Sequence, residues 1–254
     1  MSRRDGGVDV DIVGDCSLSD PVLIEGLPGV GYVGALVVEH ILEEFDSELV
    51  ARIHSEHFPP QVIVEETGVG ALVGIDIHAV STDAADMLLL SGEQQAATGI
   101  GHYRISEAAL DFAADHGVGT VYALGGVPTG ELIENYDVLG AVSDESIRES
   151  LESAGVLFRE NEPAGGIVGI SGLLLGIGGK RGFEAACLMG ETSGYLVDPK
   201  SAKAVLTVLE SLLGFEIDYA RLDDRAEEME EVVGKIQELE EQNLPTEDDL
   251  RYIG

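Results

Sequence analysis

Apolar positions along the chain fall into three kinds of run. Val8, Val10 and Ile12 alternate with Asp9 and Asp11, the pattern of a half-exposed edge strand. Residues 22–27 form a short apolar run that feeds a glycine cluster. The next stretch, 34–45, places Val37, Val38, Ile41, Leu42 and Phe45 on one helical face. Leu49, Ala51 and Ile53 alternate again, and residues 62–64 and 69–75 flank Glu66-Thr67-Gly68 as a hairpin would. Met87-Leu88-Leu89-Leu90 is unbroken, as buried central strands are. A helix is predicted over 98–116, stopped by Gly117, then buried strands over 120–124 and 138–142. A short helix is predicted over 144–154, with Gly155 as its stop, and strands over 167–169 and 185–189. Asp198-Pro199 opens a further helix, with Asp as N-cap and Pro at the first helical position. Its inner face is Ala202, Val205, Leu206, Leu209 and Leu213, and Gly214 ends it.

This alternation predicts an open α/β fold with a largely parallel sheet. Residues 1–220 read as one domain. From 221 to 242 the chain is acidic and helical, with Met229, Val233, Ile236 and Leu239 on one stripe. That stripe either docks the helix on its own domain or meets a partner or a second copy. Residues 243–254 read as a flexible tail, unusual in carrying Tyr252 and Ile253 among polar residues.

Charge narrows the function. The chain of 254 residues holds 14 Lys+Arg against 48 Asp+Glu, a net charge of −34. Such a surface repels phosphates, which argues against nucleic-acid binding and against docking on anionic membranes. Excess carboxylate, only four lysines and a normal apolar content suit a protein living in molar salt, a halophile's habitat, where screening acts over about 3 Å. Cys16 and Cys187 form no paired motif, so a reducing cytoplasm is expected. The start of the chain lacks the apolar run of a signal peptide, and residues 165–179 are too short and glycine-rich to span a bilayer.

Candidate chemistry sits after strands. Gly29, Gly31 and Gly34 spell G-x-G-x-x-G between a strand and a helix, where glycine would let a phosphate approach a helix N-terminus. The same residues serve a tight strand–helix turn, or a contact with another ligand or partner. In a chain with 33 glycines a chance match is cheap. Ser91 and Gln95, Gly125, Gly126 and Thr129, and Glu191 and Thr192 follow three other strands. Together they would rim a crevice at the carboxyl ends of the sheet. Other signatures fail. Gly179-Lys180 lacks the first glycine of a phosphate loop, which would fall on Leu174, and Arg181 stands where its Ser or Thr should be. Gly169-Ile170-Ser171-Gly172-Leu173 misses the last glycine of a nucleophile elbow. His54 and His57 have no third metal ligand marked by spacing, so no metal and no cofactor is expected.

Six segments, in this order, resemble the proteasome assembly chaperone family in its archaeal branch, as a haloarchaeal-type member. They are Gly26-Leu27-Pro28-Gly29-Val30-Gly31, Leu90-Ser91-Gly92-Glu93-Gln94, Leu124-Gly125-Gly126, Gly140-Ala141-Val142-Ser143-Asp144, the run from Gly169-Ile170-Ser171-Gly172 through Gly176, and Gly190-Glu191-Thr192-Ser193-Gly194-Tyr195. The resemblance implies a three-layer α/β domain with helices on both faces of the sheet, related in shape to nucleoside phosphorylases, and a homo-oligomer. It also implies a non-enzymatic chaperone that binds proteasome α subunits or the α ring of the core particle. Family members often dock with a C-terminal hydrophobic–Tyr–any tripeptide. Here Tyr252 is followed by both Ile253 and Gly254, and Arg251 precedes it. One extra residue displaces the terminal carboxylate by up to about 3.5 Å. The expected partner contacts are therefore Met229, Val233 and Ile236 on the helix and Tyr252, Ile253 and Gly254 in the tail. The competing reading is an enzyme or sensor that takes a nucleoside or nucleotide in the crevice.

Overall fold

A computed structural model describes residues 2–64, 67–131, 133, 135–160 and 166–243. The strands are β1 (Ser2–Asp5), β2 (Val8–Ile12), β3 (Val22–Glu25), β4 (Ser47–Ser55), β5 (Val62–Val64), β6 (Gly70–Leu72), β7 (Gly74–Ser81), β8 (Asp86–Ser91), β9 (Thr120–Pro128), β10 (Val138–Val142) and β11 (Glu184–Thr192). The helices are α1 (Val33–Glu44), α2 (Gly99–Asp115), α3 (Arg148–Ser153), α4 (Ile170–Arg181), α5 (Pro199–Leu213) and α6 (Ala220–Asn243).

Nine strands form one sheet in the order β1-β2-β4-β7-β8-β3-β9-β11-β10, and β5 pairs with β6 in a separate hairpin. The sheet is mixed, which corrects the expectation of a largely parallel one. Only β8-β3-β9-β11 run parallel. The pairs β1–β2, β2–β4, β4–β7, β7–β8 and β10–β11 are antiparallel. Connection length is the physical reason. A parallel pair needs a crossover of a dozen or more residues, whereas β7 reaches β8 through a tight turn closed by Thr82 N–H on the Ala85 carbonyl (3.1 Å). The β2 alternation marks a strand one position in from the edge, which β1 occupies.

Successive strand residues alternate between two cores. Leu23, Leu88, Leu90, Val121 and Cys187 face Ile105, Leu110, Ile170 and Leu174 of α2 and α4. Ile24, Met87, Leu89, Leu124 and Leu188 face α1, α5 and Leu222 of α6. The molecule is therefore helix–sheet–helix in section. Asp198 caps α5 by accepting from Ser201 N–H at 3.0 Å, and Gly214 closes that helix in the left-handed region at φ 76°.

Residues 167–169 are not a strand but the approach to α4, a helix the apolar pattern does not reveal. Gly172, Gly176, Gly178 and Gly179 interrupt its periodicity. Two of them admit close packing: a Cβ on Gly172 would lie 2.1 Å from the Ile167 carbonyl, and one on Gly179 2.5 Å from Ser143 Cβ.

The carboxyl ends of the parallel strands as candidate functional site

Glu25, Ser91, Pro128 and Thr192 end the four parallel strands on one side of the molecule. The turn from β3 to α1 lies directly on the neighbouring strand ends. Gly31 has φ 64°, and a Cβ there would meet the Thr192 hydroxyl at 2.8 Å. A Cβ on Gly126 would lie 2.4 Å from the Val30 carbonyl, and one on Gly34 2.7 Å from that of Leu124. The glycine motif thus serves a strand–helix turn pressed against β9 and β11.

The polar groups of the crevice are largely committed to one another. Thr192 is buried, and its carbonyl accepts from Thr129 N–H (2.8 Å) and from the Thr129 hydroxyl (3.2 Å). Gln95 donates Nε2–H to the Pro28 carbonyl at 2.8 Å and accepts Ile170 N–H at 3.3 Å, so one side chain ties the β3–α1 turn to the start of α4. Glu191 pairs with Arg159 at 2.6 Å, and Arg159 also holds Asp137 at 2.5 Å. Ser91 sits opposite Asp76 of β7, on the other side of β8 from β3. Gly29 opens the one-turn 3-10 segment before α1, and Gly125 lies in β9, with Met189 Cγ 3.9 Å from where its Cβ would be. The structure therefore brings Gly29, Gly31, Gln95, Gly126, Thr129 and Thr192 together, while Glu191, beside Thr192 in β11, is engaged by Arg159 and Ser91 ends β8 opposite Asp76.

Reading the sequence misses one residue of this region, Glu25. It is fully buried at the end of β3 and accepts Leu27 N–H at 3.1 Å. Burial pushes its carboxyl up to about 7, against the opposing pull of hydrogen bonds with Ser171 and with the backbone of Leu27 and Leu124. The available signal is a single carboxylate inside the apolar run 22–27. Burial also raises the Cys187 thiol, with Glu25 adding to it, so this cysteine is an inert core residue.

The second candidate region is α6. Leu222 and Ala226 are buried against the body, and Arg225 reaches Glu43 at 2.7 Å. Met229 and Val233 are half-buried and line a groove of about 280 Å³ with Tyr136, Val197, Pro199 and Lys200. Lys200 pairs with Glu230 across it. The first half of the apolar stripe thus packs on its own domain. Ile236 lies further along α6, where the helix backbone alone is described, and Tyr252, Ile253 and Gly254 lie outside the described residues.

Comparison with known proteins places this geometry. The model of the PAC2 family matches residues 23–237. An uncharacterised protein of Methanocaldococcus jannaschii is 39% identical over 244 residues, covering 93% of each chain. Among solved structures, Pyrococcus furiosus PbaB, an archaeal proteasome activator, superposes with a TM-score of 0.87 at 35% identity, covering 91% of this chain and 99% of that one. Pyrococcus furiosus PbaA, an archaeal homolog of proteasome-assembly chaperone, gives 0.75 at 26% identity over 92% and 93%.

Proposed function

Because this chain belongs to the PAC2 family, we propose that it is a non-enzymatic protein of proteasome assembly or activation that binds proteasome α subunits or the α ring. The observation that carries the reading is its 35% identity over 91% of its length to an archaeal proteasome activator. The site geometry supports it from the other side. Among the described residues, Gln95 holds Pro28 and Ile170 and Thr129 holds Thr192, so these polar groups of the crevice serve the fold.

The proposed contact surface is the far part of α6 with the residues beyond it. At 1.5 Å per residue the 24-residue helix is about 36 Å long, and its buried anchors, Leu222 and Ala226, lie in its first two turns. Met229 and Val233 continue the stripe at the groove, and Ile236, Tyr252, Ile253 and Gly254 follow. In this reading the body fixes the helix and the helix presents the chain end.

The test is co-purification in molar KCl. Full-length protein and a version ending at Asp249 are each mixed with purified α subunits and with complete core particles. Capture of α subunits by full-length protein, lost on truncation, is expected. Capture of free α subunits would assign an assembly role, and capture of core particles alone an activating one. Capture of neither overturns the reading. Capture undiminished by truncation moves the contact from the tail to α6.

A further inference from the structure

The six residues between α5 and α6 belong to neither helix nor strand. Gly214 turns the chain out of α5 at φ 76°, and α6 begins at Ala220. Phe215 is buried and Ile217 and Tyr219 are half-buried, while Glu216 and Asp218 are exposed, the alternation of an extended piece. Side chains take the place of a strand ladder. Glu210, in the last turn of α5, engages this piece with both oxygens. Its Oε1 accepts Ile217 N–H at 3.0 Å, and its Oε2 accepts the Tyr219 hydroxyl. The fully buried His40 of α1 donates Nε2–H to the Asp218 carbonyl at 2.7 Å. Asp218 Oδ1 then accepts Ala220 N–H at 2.9 Å, and the Tyr219 carbonyl accepts Asp223 N–H at 2.9 Å, which starts α6. We propose that Glu210 is a positioning residue: its grip on Ile217 and Tyr219 fixes the direction in which α6 leaves the body.

Ion pairs also tie α6 down. Lys203 meets Asp223 at 2.6 Å and Lys200 meets Glu230, while Arg221 and Arg225 meet Glu44 and Glu43 of α1 at 3.2 and 2.7 Å. These pairs are partly exposed, and salt weakens them. The Glu210 grip differs in kind. Its donors are an uncharged N–H and an uncharged hydroxyl, so screening removes little of it. Burial pushes the Tyr219 hydroxyl up, and the hydrogen bond to Glu210 adds to the rise, so this group stays a donor through the neutral range. Tyr219 also gathers three helices. Its ring stacks on that of His40 at 6.4 Å, lies 5.1 Å from Lys203 Nζ, and its hydroxyl is 3.3 Å from that of Thr207.

Leverage makes the grip matter. A tilt of about 10° at Tyr219 would move Val232 by about 3 Å and the far end of α6 by about 6 Å, at 1.5 Å of rise per residue. A contact made beyond that end therefore depends on how firmly the start is held. This consequence for the α ring rests on the proposed function, whereas the grip itself does not.

The experiment measures the distance between spin labels at Ser153→Cys, exposed at the end of α3, and Val232→Cys, exposed on α6, in a Cys16→Ser background. The buried Cys187 is left in place. Labelled chains are diluted with unlabelled protein, and pulsed electron resonance is recorded at about 0.1 M and about 2 M KCl. Circular dichroism verifies folding. The full chain should give one narrow distance in both salts. Glu210→Ala should widen it and displace its mean by about 3 Å, more in 2 M KCl, where the ion pairs no longer compensate. Glu210→Gln should restore the narrow distance, because its oxygen can accept Ile217 N–H and its amide can donate to the Tyr219 oxygen. Tyr219→Phe keeps the ring, removes one of the two bonds and should widen the distance in part, so it carries the test if Glu210→Ala does not fold. An unchanged distance in Tyr219→Phe or in folded Glu210→Ala, or a wild type already broad, overturns the proposal. In co-purification, Glu210→Ala should capture less proteasome α subunit or core particle than wild type, with Glu210→Gln restoring capture. Undiminished capture by Glu210→Ala would overturn the consequence for the α ring. A wild type that captures neither overturns the proposed function instead, and the distances still decide the role of Glu210.

Discussion

Glu25 is a fully buried carboxyl group at the end of β3, and its titration has a definite sign. The folded value of about 7 lies above the ordinary 4.5, so the native state holds its proton more tightly than the unfolded chain does. The stability this gives is complete below 4.5 and is lost as the pH rises through about 7. A shift of this size corresponds to about 3 kcal/mol between those limits. Glu25→Gln keeps an oxygen for Leu27 N–H and removes the charge. Its stability relative to wild type should therefore rise by that order between about pH 5 and pH 8.5, read by urea unfolding at several pH values. A difference that stays constant with pH would mean that the carboxylate is solvated after all. Gly34 makes the complementary point about space. Alanine there would press its Cβ to 2.7 Å from the Leu124 carbonyl, a backbone atom of a central strand that cannot yield. Gly34→Ala should cost about 1–3 kcal/mol in the same assay, and an unchanged midpoint would refute the close approach.

Gln95 governs two elements at once, because its amide satisfies the Pro28 carbonyl and Ile170 N–H. Replacing it by Leu leaves both backbone groups without that partner. The expected loss is about 1–3 kcal/mol, with faster amide exchange confined to 26–31 and the first turn of α4. Uniformly faster exchange would show that the clamp is not local. Such a link between elements is invisible in a linear pattern, and so was α4 itself. Elements whose burial is one-sided and periodic were legible: α1, α2 and α5, the run in β8, the β5–β6 hairpin, and the Asp198, Pro199 and Gly214 signals around α5. The strand direction was not. Apolar alternation is the same for parallel and antiparallel pairs, and only the short links, as at residues 82–85, separate them. The glycine-rich turn was located correctly as a strand–helix junction. The close contacts that demand glycine there are made with Thr192 and the Val30 carbonyl, and the spacing of the glycines alone does not tell such packing from a ligand contact. If the crevice takes no small ligand, as the proposed function requires, nucleosides, nucleotides and phosphate should leave the melting temperature unmoved. A ligand present at 100 times its dissociation constant would instead add about 2.7 kcal/mol.

At the scale of the whole molecule the governing quantity is the imbalance of 48 acidic against 14 basic residues. Nine of the 14 basic residues are engaged. Arg52, Arg104, Arg148, Arg159, Arg181, Lys200, Lys203, Arg221 and Arg225 are all in ion pairs among the described residues. Most of these pairs are partly exposed, so each is worth at most about 1 kcal/mol and is weakened by salt. The unpaired carboxylates act in the opposite direction, since they are closer together in the folded chain than in the unfolded one and repel. Salt therefore has two effects of opposite sign, and the excess of acids decides between them. Raising KCl from about 0.1 M to about 2 M shortens the screening length from about 10 Å to below 3 Å, which removes the long-range repulsion while costing only the modest exposed pairs. The melting temperature should climb by about 5 °C or more over that range, measured at a protein concentration low enough to keep the chain monomeric so that assembly does not contribute. A melting temperature that falls with KCl would mean that the ion pairs, and not the surplus carboxylates, set the balance in this fold.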